Sequence, residues 1–168
     1  MKKRLIVMRH AKSSWDSDAD SDHQRPLNDR GIRDAPNVGS RLVDLGWEPE
    51  LVISSDARRT RETFAGLSEA FSKDVEAQFN RELYLAGFDE VVSFVAQVEN
   101  DYSTLLVLGH NPGWEGVVGT LTGESVQMKT ATAALLEFEA DDWNRAIRSR
   151  SEWRLVDVIY PKALLANA

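Results

Sequence analysis

Short apolar runs alternate with amphipathic and polar segments along the chain. The run from Leu5 to Met8 is apolar throughout and includes β-branched Ile6 and Val7, which is typical of a buried strand. Further strand-length runs lie at 51–53, 75–79, 105–108, 133–138 and 153–160. The segments between them carry helix signals. This alternation predicts an α/β three-layer sandwich, in which a mostly parallel sheet has helices on both faces.

The helix signals are mainly capping residues and apolar positions at helical spacing. Asn28 can cap a first helix, and Pro36 either kinks that helix or lies in the first turn of one capped by Asp34. Residues 54–56 are Ser, Ser and Asp, whose side chains can cap a second helix that runs to about Phe71. Each of the first two strands is thus followed by a polar segment and then by a helix.

Composition indicates one ordinary globular unit. With 168 residues, 42% of them hydrophobic, we expect a single domain over 1–168, with 161–168 as a loose tail. The apolar runs are far too short to span a membrane, and neither end resembles a signal or transit peptide. The absence of cysteine excludes disulfides, cysteine zinc sites and thiol nucleophiles, and fits a cytoplasmic location. A formal charge of -7 argues against nucleic acid as a partner.

Cationic and titratable residues follow three of the predicted strands. Arg9 and His10 come after the first, three arginines within 58–61 after the second, and His110 after the fourth. Parallel strands would bring these junctions to the same edge of the sheet, where ligands usually bind. Arginine side chains and helix N-H groups match phosphate oxygens, so we expect an anion site there. This edge of the sheet would be locally positive, although the chain as a whole is negatively charged.

The chain has only three histidines, and two of them directly follow predicted strands. An Arg-His pair alone is typical of a surface, but two histidines at equivalent positions beside arginines favour a functional site. His23 lies in a polar loop and is predicted to be solvent-exposed. Arg58 and Glu62 have the spacing of a surface ion pair.

Three motifs together resemble a known family: Arg9-His10-Ala11, the segment 54–63 with sequence SSDARRTRET, and Gly109-His110. In this order and at strand ends, they are similar to the histidine phosphatase superfamily, with its phosphoglycerate-mutase-like fold. The segment 22–28, DHQRPLN, and the short chain resemble the SixA-type phosphohistidine phosphatases.

The resemblance implies specific roles. His10 would be the nucleophile that is transiently phosphorylated, and Arg9, Arg59 and His110 would hold the phosphoryl group. Arg59 is preferred to its neighbours because the family's arginine stands four residues before a threonine, here Thr63. Ser13 would add a hydroxyl contact. Independently of the family, nearby arginines disfavour a second positive charge and lower the pKa of a histidine, which keeps it neutral and nucleophilic.

The proton donor is less well specified. Glu82 lies where the superfamily often places an acidic residue before leucine, but the position also suits a plain surface glutamate. An aspartate of the 16–22 loop is the alternative. The spacing of aspartates in that loop suggests calcium, yet the glycine and the final glutamate of a calcium loop are missing, so no metal or other cofactor is implied.

Two residues depart from the family's pattern. Many relatives have glycine where this chain has Ala11, so the backbone there is either ordinary or slightly strained. Mutase-like members tend to have asparagine where this chain has Asp16, and an anion cannot donate a hydrogen bond to phosphate. This difference disfavours mutase activity on small sugar phosphates.

The sequence predicts a metal-independent phosphatase acting through phospho-His10. The favoured substrate is phosphohistidine in a signalling protein, and the alternative is a small phosphomonoester. A non-catalytic phosphate-binding module is the alternative from another functional class. Neither nucleic acid nor a membrane is an expected partner, and the oligomeric state stays open.

Overall fold

The computed structural model describes residues 1–165, which form six strands and six α-helices. The strands are β1 (Lys2–Arg9), β2 (Leu51–Ser55), β3 (Glu76–Asn80), β4 (Thr104–Gly109), β5 (Ala133–Glu139) and β6 (Arg154–Ile159). The helices are α1 (Asp29–Asp44), α2 (Arg58–Ser68), α3 (Phe88–Val95), α4 (Gly113–Thr122), α5 (Trp143–Ile147) and α6 (Pro161–Leu165). Short 3-10 helices occupy Asp22–Gln24 and Arg81–Leu83.

The strands form one sheet in the order β3-β2-β4-β1-β5-β6. Strands β1 to β4 are mutually parallel, whereas β5 pairs antiparallel with β1 and with β6. β4 therefore lies between β1 and β2, and all three end at the same edge. The predicted α/β class with a mostly parallel sheet is confirmed.

Alternate residues of the strands pack against helices on opposite faces, as the two-residue period of a strand requires. Leu5 and Val7 of β1 pack in one core cluster with the buried side chains of α3, α4 and α5. Ile6 and Met8 point to the other face and pack with α1 and α2, and with Leu164 of α6. Packing of helices on both faces of the sheet therefore fixes the helix ends that lie near the carboxyl ends of the strands.

The helix predictions are partly confirmed. Asn28 caps α1, since its side-chain oxygen accepts a hydrogen bond from the Gly31 N-H at 3.0 Å. Pro36 lies inside that helix, so the alternative start at Asp34 is wrong. Arg58 and Glu62 form the predicted pair, 2.9 Å apart.

The predicted polar cap of α2 is wrong, and its residues have other partners. α2 begins after Ala57, and no side chain caps it. The Ser55 hydroxyl accepts a hydrogen bond from the Ala57 N-H and contacts His110, while the Asp56 carboxylate binds His23. The local sequence predicts that these side-chain oxygens cap α2, but in the structure they contact His110 and His23, which are distant in the chain.

The loose tail predicted for 161–168 is also corrected. Residues 161–165 form helix α6, which begins at buried Pro161 and packs through Leu164 against the core. Residues 166–168 lie outside the described part. Over residues 1–165, none of the helices combines the length and apolarity needed to cross a membrane.

Candidate active site

A pocket of about 360 Å³ opens at the carboxyl edge of β1, β2 and β4. Its lining joins the strand-end residues to two distant loops, and consists of Arg9, His10, Lys12, Ser13, Trp15, Asp22, Arg25, Arg59, Leu85, His110, Asn111 and Thr130. Five of the residues singled out from the sequence, Arg9, His10, Ser13, Arg59 and His110, are in this set. Cations dominate it, although the whole chain is acidic.

His10 is buried and has one ring nitrogen committed to the backbone. Nδ1 lies 2.6 Å from the Ala11 carbonyl oxygen. Because a carbonyl only accepts hydrogen bonds, Nδ1 carries the proton and Nε2 keeps its lone pair. Burial is the main cause that lowers the pKa of His10 to about 3. The bond to Ala11 opposes this shift, whereas neighbouring His110 and two arginines add to it.

His110 lies beside His10, with ring centroids 5.3 Å apart. Its Nδ1 faces Nη2 of Arg59 at 3.4 Å, and its Nε2 lies 2.8 Å from the Ser55 hydroxyl. Since a guanidinium only donates, Nδ1 is the acceptor and Nε2 donates to Ser55. Burial first, and then the charge of Arg59, lowers the pKa of His110 to about 3. Both histidines are thus neutral in the free protein.

Arg59 lies at the start of α2 and is 3% exposed, with its guanidinium directed into the pocket. Nη1 donates to the Asp22 carbonyl at 2.7 Å, and Nη2 donates to the Asp22 carboxylate at 3.0 Å. Arg9 donates through Nη1 to the Met128 carbonyl at 3.0 Å. Backbone and carboxylate oxygens therefore hold both guanidinium groups in place before any ligand binds.

Arg25 is a further cation of the pocket that sequence reasoning missed. Its guanidinium donates to the Ser13 hydroxyl at 2.5 Å, to the Asp22 carboxylate at 2.8 Å and to the Ser14 carbonyl at 2.9 Å. It also lies over the Trp15 ring, 3.4 Å from the centroid. Nothing in the local sequence distinguishes a buried loop arginine from a solvated one. The only signal for Arg25 is its position in the DHQRPLN segment, which resembles the SixA-type proteins.

The charge and shape of this pocket suit a phosphoryl group, and the comparisons with known proteins agree. The model of the histidine phosphatase superfamily (branch 1) matches residues 5–85. A structure from Nakamurella multipartitia, assigned as the phosphohistidine phosphatase SixA, is 30% identical with a TM-score of 0.78 and covers 96% of this chain and 97% of its own. The chain is a SixA-type member of the histidine phosphatase superfamily.

Other relatives of this phosphatase extend the likeness. An uncharacterized chloroplastic protein of Arabidopsis thaliana is 35% identical over 95% of this chain and 78% of its own length. A structure of the protein histidine phosphatase SixA with tungstate has a TM-score of 0.80 at 22% identity, and the match covers 96% of this chain and 99% of that one. The latter likeness is one of fold.

His23 of this histidine phosphatase is not solvent-exposed as predicted. Its side chain is 14% exposed, and Nε2 lies 2.7 Å from the Asp56 carboxylate. The ring also packs edge-on against Tyr84, whose hydroxyl donates to the Asp22 carboxylate. His23 thus ties the 3-10 helix at Asp22–Gln24 to Asp56 in the loop before α2, and helps to fix the loop that carries Asp22.

The structure does not bring Glu82 to the phosphatase pocket. Glu82 lies in the 3-10 helix Arg81–Leu83, where it is exposed while Leu83 is buried. Asp22, from the alternative loop, is the only carboxylate among the described lining residues. Burial would raise the pKa of Asp22, but hydrogen bonds from Tyr84, Arg25 and Arg59 outweigh it and lower that pKa well below its usual range. Asp22 is therefore an ionised acceptor.

Alanine at position 11 causes no backbone strain. Within residues 1–165, the non-glycine residues with positive φ are Leu85, Ala131 and Ser151. The Ala11 N-H donates to the Thr63 hydroxyl at 3.0 Å, and that hydroxyl donates to the Arg59 carbonyl at 2.7 Å. Thr63 therefore links the His10 loop to the helix turn that presents Arg59.

The described residues also contain no cluster of three or more histidine or carboxylate side chains suited to a metal ion.

Proposed function

We propose that this phosphatase acts through a phosphohistidine intermediate on His10, without a metal ion, and that its substrate is phosphohistidine in a signalling protein. The observation that supports this most strongly is the state of His10. Nδ1 is held by the Ala11 carbonyl at 2.6 Å, and the neutral ring keeps its lone pair on Nε2. A neutral, fixed imidazole among cations is what attack on an anionic phosphoryl group requires.

In the first step, the Nε2 lone pair attacks phosphorus and forms the N-P bond, while the bond from phosphorus to the leaving atom breaks with its electron pair. Arg9 and Arg59 are proposed to bind the phosphoryl oxygens, and His110, which accepts from Arg59 on Nδ1 and donates to Ser55 from Nε2, is proposed to position Arg59. Arg9 uses Nη1 on the Met128 carbonyl, which leaves its other N-H groups for the substrate. Preorganised guanidinium donors stabilise the charge on the equatorial oxygens in the transition state.

In the second step, a water oxygen bonds to phosphorus and the P-N bond breaks, with its electron pair returning to Nε2. Dihydrogen phosphate leaves and gives a proton to solvent, and His10 is again neutral with its proton on Nδ1. The Ala11 carbonyl stabilises the positive ring of the intermediate, because it accepts a hydrogen bond from Nδ1 throughout.

The leaving group supports phosphohistidine over an ester. An imidazole ring that is protonated on its second nitrogen leaves as a neutral molecule and needs no proton from the enzyme. An alkoxide leaving group needs one, and the only described carboxylate of the pocket, Asp22, is kept ionised by its donors. The proposed roles of both Glu82 and Asp22 as general acid thus lose support, and the reaction on phosphohistidine does not require them.

The test is phosphate release from a phosphohistidine protein and from a panel of phosphate esters, with and without chelator. We expect the phosphohistidine protein to have the highest kcat/KM, with no chelator effect. His10→Ala should abolish both turnover and labelled phosphoenzyme, which is trapped under acid-free quench. A preference for esters would instead indicate a small-molecule phosphatase. Failure to trap phosphate on the wild type, with no turnover, would indicate a phosphate-binding module.

A further inference from the structure

Two exposed apolar side chains line the pocket that is otherwise polar. Trp15 is 75% exposed and Leu85 is 59% exposed, and both belong to the lining around His10. They belong to two segments that are distant in the chain, the loop after β1 and the loop before α3. Neither contributes its main surface to the core, so burial on folding does not account for them.

Trp15 is fixed from one side. The Arg25 guanidinium lies over its ring at 3.4 Å, and three hydrogen bonds to Ser13, Ser14 and Asp22 hold that guanidinium. The high exposure of Trp15 leaves most of the remaining indole surface open to a ligand. A fixed aromatic plane offers contact area with little loss of conformational freedom on binding.

Leu85 is held in a conformation that leucine rarely adopts. Its φ is 54°, in the left-handed region that favours glycine or asparagine. The segment is fixed on both sides, because Leu83 is buried and the backbone of Ala86 packs tightly against α4. A Cβ on Gly113 would lie 1.8 Å from the Ala86 carbonyl oxygen. Core packing does not explain why a residue in a strained conformation keeps its side chain exposed at a pocket, and this indicates a functional role for Leu85.

The polar lining and the apolar pair serve different parts of a ligand. Arginine and histidine side chains match phosphoryl oxygens, whereas Leu85 offers no hydrogen bond and Trp15 offers only its indole N-H. The apolar face of an aromatic ring beside the phosphoryl group suits both side chains, whereas a hydroxyl-rich group would leave polar atoms unpaired on Leu85.

We propose that Trp15 and Leu85 form the binding site for the leaving group and select phosphoryl groups carried on an aromatic ring, such as the imidazole of phosphohistidine. The proposal rests on the proposed function for its biological substrate. The preference for an aromatic group is a binding property, however, and it can be measured without turnover.

The test uses phenylphosphonate and methylphosphonate, two non-hydrolysable ligands that share the phosphonate group and differ in the ring. Calorimetric titration of the wild type should give about tenfold tighter binding of phenylphosphonate, since the ring buries apolar area on both side chains. Trp15→Ala and Leu85→Asn should each remove most of that preference and leave the Kd of methylphosphonate within about twofold. Ile32→Asn is the matched control, because Ile32 is 61% exposed and is absent from the described lining.

Leu85→Asn also separates function from structure, since asparagine tolerates the left-handed region. The proposal predicts an unchanged or higher Tm together with the lost preference. Equal affinities of the two phosphonates for the wild type, or equal weakening of both in the variants, would overturn it. A wild type that hydrolyses no phosphohistidine yet prefers phenylphosphonate would refute the proposed function and leave this inference standing.

Discussion

Asp22 and Arg59 form an ion pair inside the phosphate pocket, with Oδ2 of Asp22 3.0 Å from Nη2 of Arg59. The same guanidinium also donates to the Asp22 carbonyl, and Arg25 and Tyr84 donate to the carboxylate. Asp22 therefore orients two arginines, but it also places a negative charge where a phosphoryl dianion would bind.

Removal of that charge should strengthen phosphate binding. Asp22→Asn keeps an oxygen acceptor for Arg59 while it removes the repulsion between carboxylate and phosphate. We expect the inhibition constant of inorganic phosphate to fall about threefold to tenfold, which corresponds to about 1 kcal/mol. Competitive inhibition assays measure it. Asp20→Asn is the control, because Asp20 is exposed in the same loop and outside the described lining, and an unchanged constant in Asp22→Asn would contradict the argument.

Arg59 and its neighbour Arg58 provide a matched pair for the phosphate-binding role. Arg59 is buried and uses both terminal nitrogens of its fork, whereas Arg58 is half exposed and pairs with Glu62. Lysine keeps the charge and loses the fork. Arg59→Lys should lower kcat/KM about 100-fold or more, and Arg58→Lys should leave it nearly unchanged. Equal effects in a steady-state assay would show that the position of the charge is not decisive.

Features that depend on local sequence can be predicted for this chain, whereas features that depend on contacts between distant residues cannot. The strand ends that carry Arg9, His10 and His110 were identified because apolar runs mark buried strands and the parallel order brings their ends together. Tyr84 meets Asp22, and Asp22 meets Arg59, through contacts between segments that are distant in the chain, which no local pattern encodes. The resemblance to the family predicts Glu82 at the site, but the 3-10 turn that buries Leu83 leaves Glu82 exposed to solvent.

Gly31 holds the first helix against the loop that follows His10. A Cβ on Gly31 would lie 2.2 Å from the Lys12 carbonyl oxygen and 3.0 Å from the Lys12 nitrogen. Backbone atoms cannot yield as a flexible side chain would, so the loop must shift. Gly31→Ala should lower the free energy of unfolding by about 1–3 kcal/mol and reduce kcat/KM, because Lys12 lies between His10 and Ser13 in the chain.

Gly116 is the control for that substitution. It is exposed inside α4, and a Cβ there would have no atom within 4 Å. Gly116→Ala should raise the free energy of unfolding by about 0.5–1 kcal/mol, since alanine loses less backbone entropy in a helix. Urea denaturation measures both variants. A stable, fully active Gly31→Ala protein would show that the close approach to Lys12 is not required.

The two buried histidines should make the protein sensitive to moderately acidic pH. Burial lowers the pKa of His10 and of His110 to about 3 in the folded state, whereas an unfolded histidine titrates near its ordinary value of about 6.5. Between these values the unfolded chain binds more protons, so stability rises with pH across this window and is complete above it. As pH falls from 6.5 toward 3, each histidine contributes a loss of at most about 1.4 kcal/mol per pH unit.

Urea denaturation at pH 7.5, 6.5 and 5.0 tests this dependence. The wild type should lose stability mainly between pH 6.5 and 5.0, above the ordinary pKa values of carboxylates. His10→Gln and His110→Gln should each reduce that loss by up to about 2 kcal/mol, because glutamine binds no proton in the unfolded chain. The three proteins should show little pH dependence between pH 7.5 and 6.5. A wild type equally stable at pH 6.5 and 5.0 would mean that the folded protein takes up protons on these histidines, and the neutral nucleophile inferred for His10 would then be wrong.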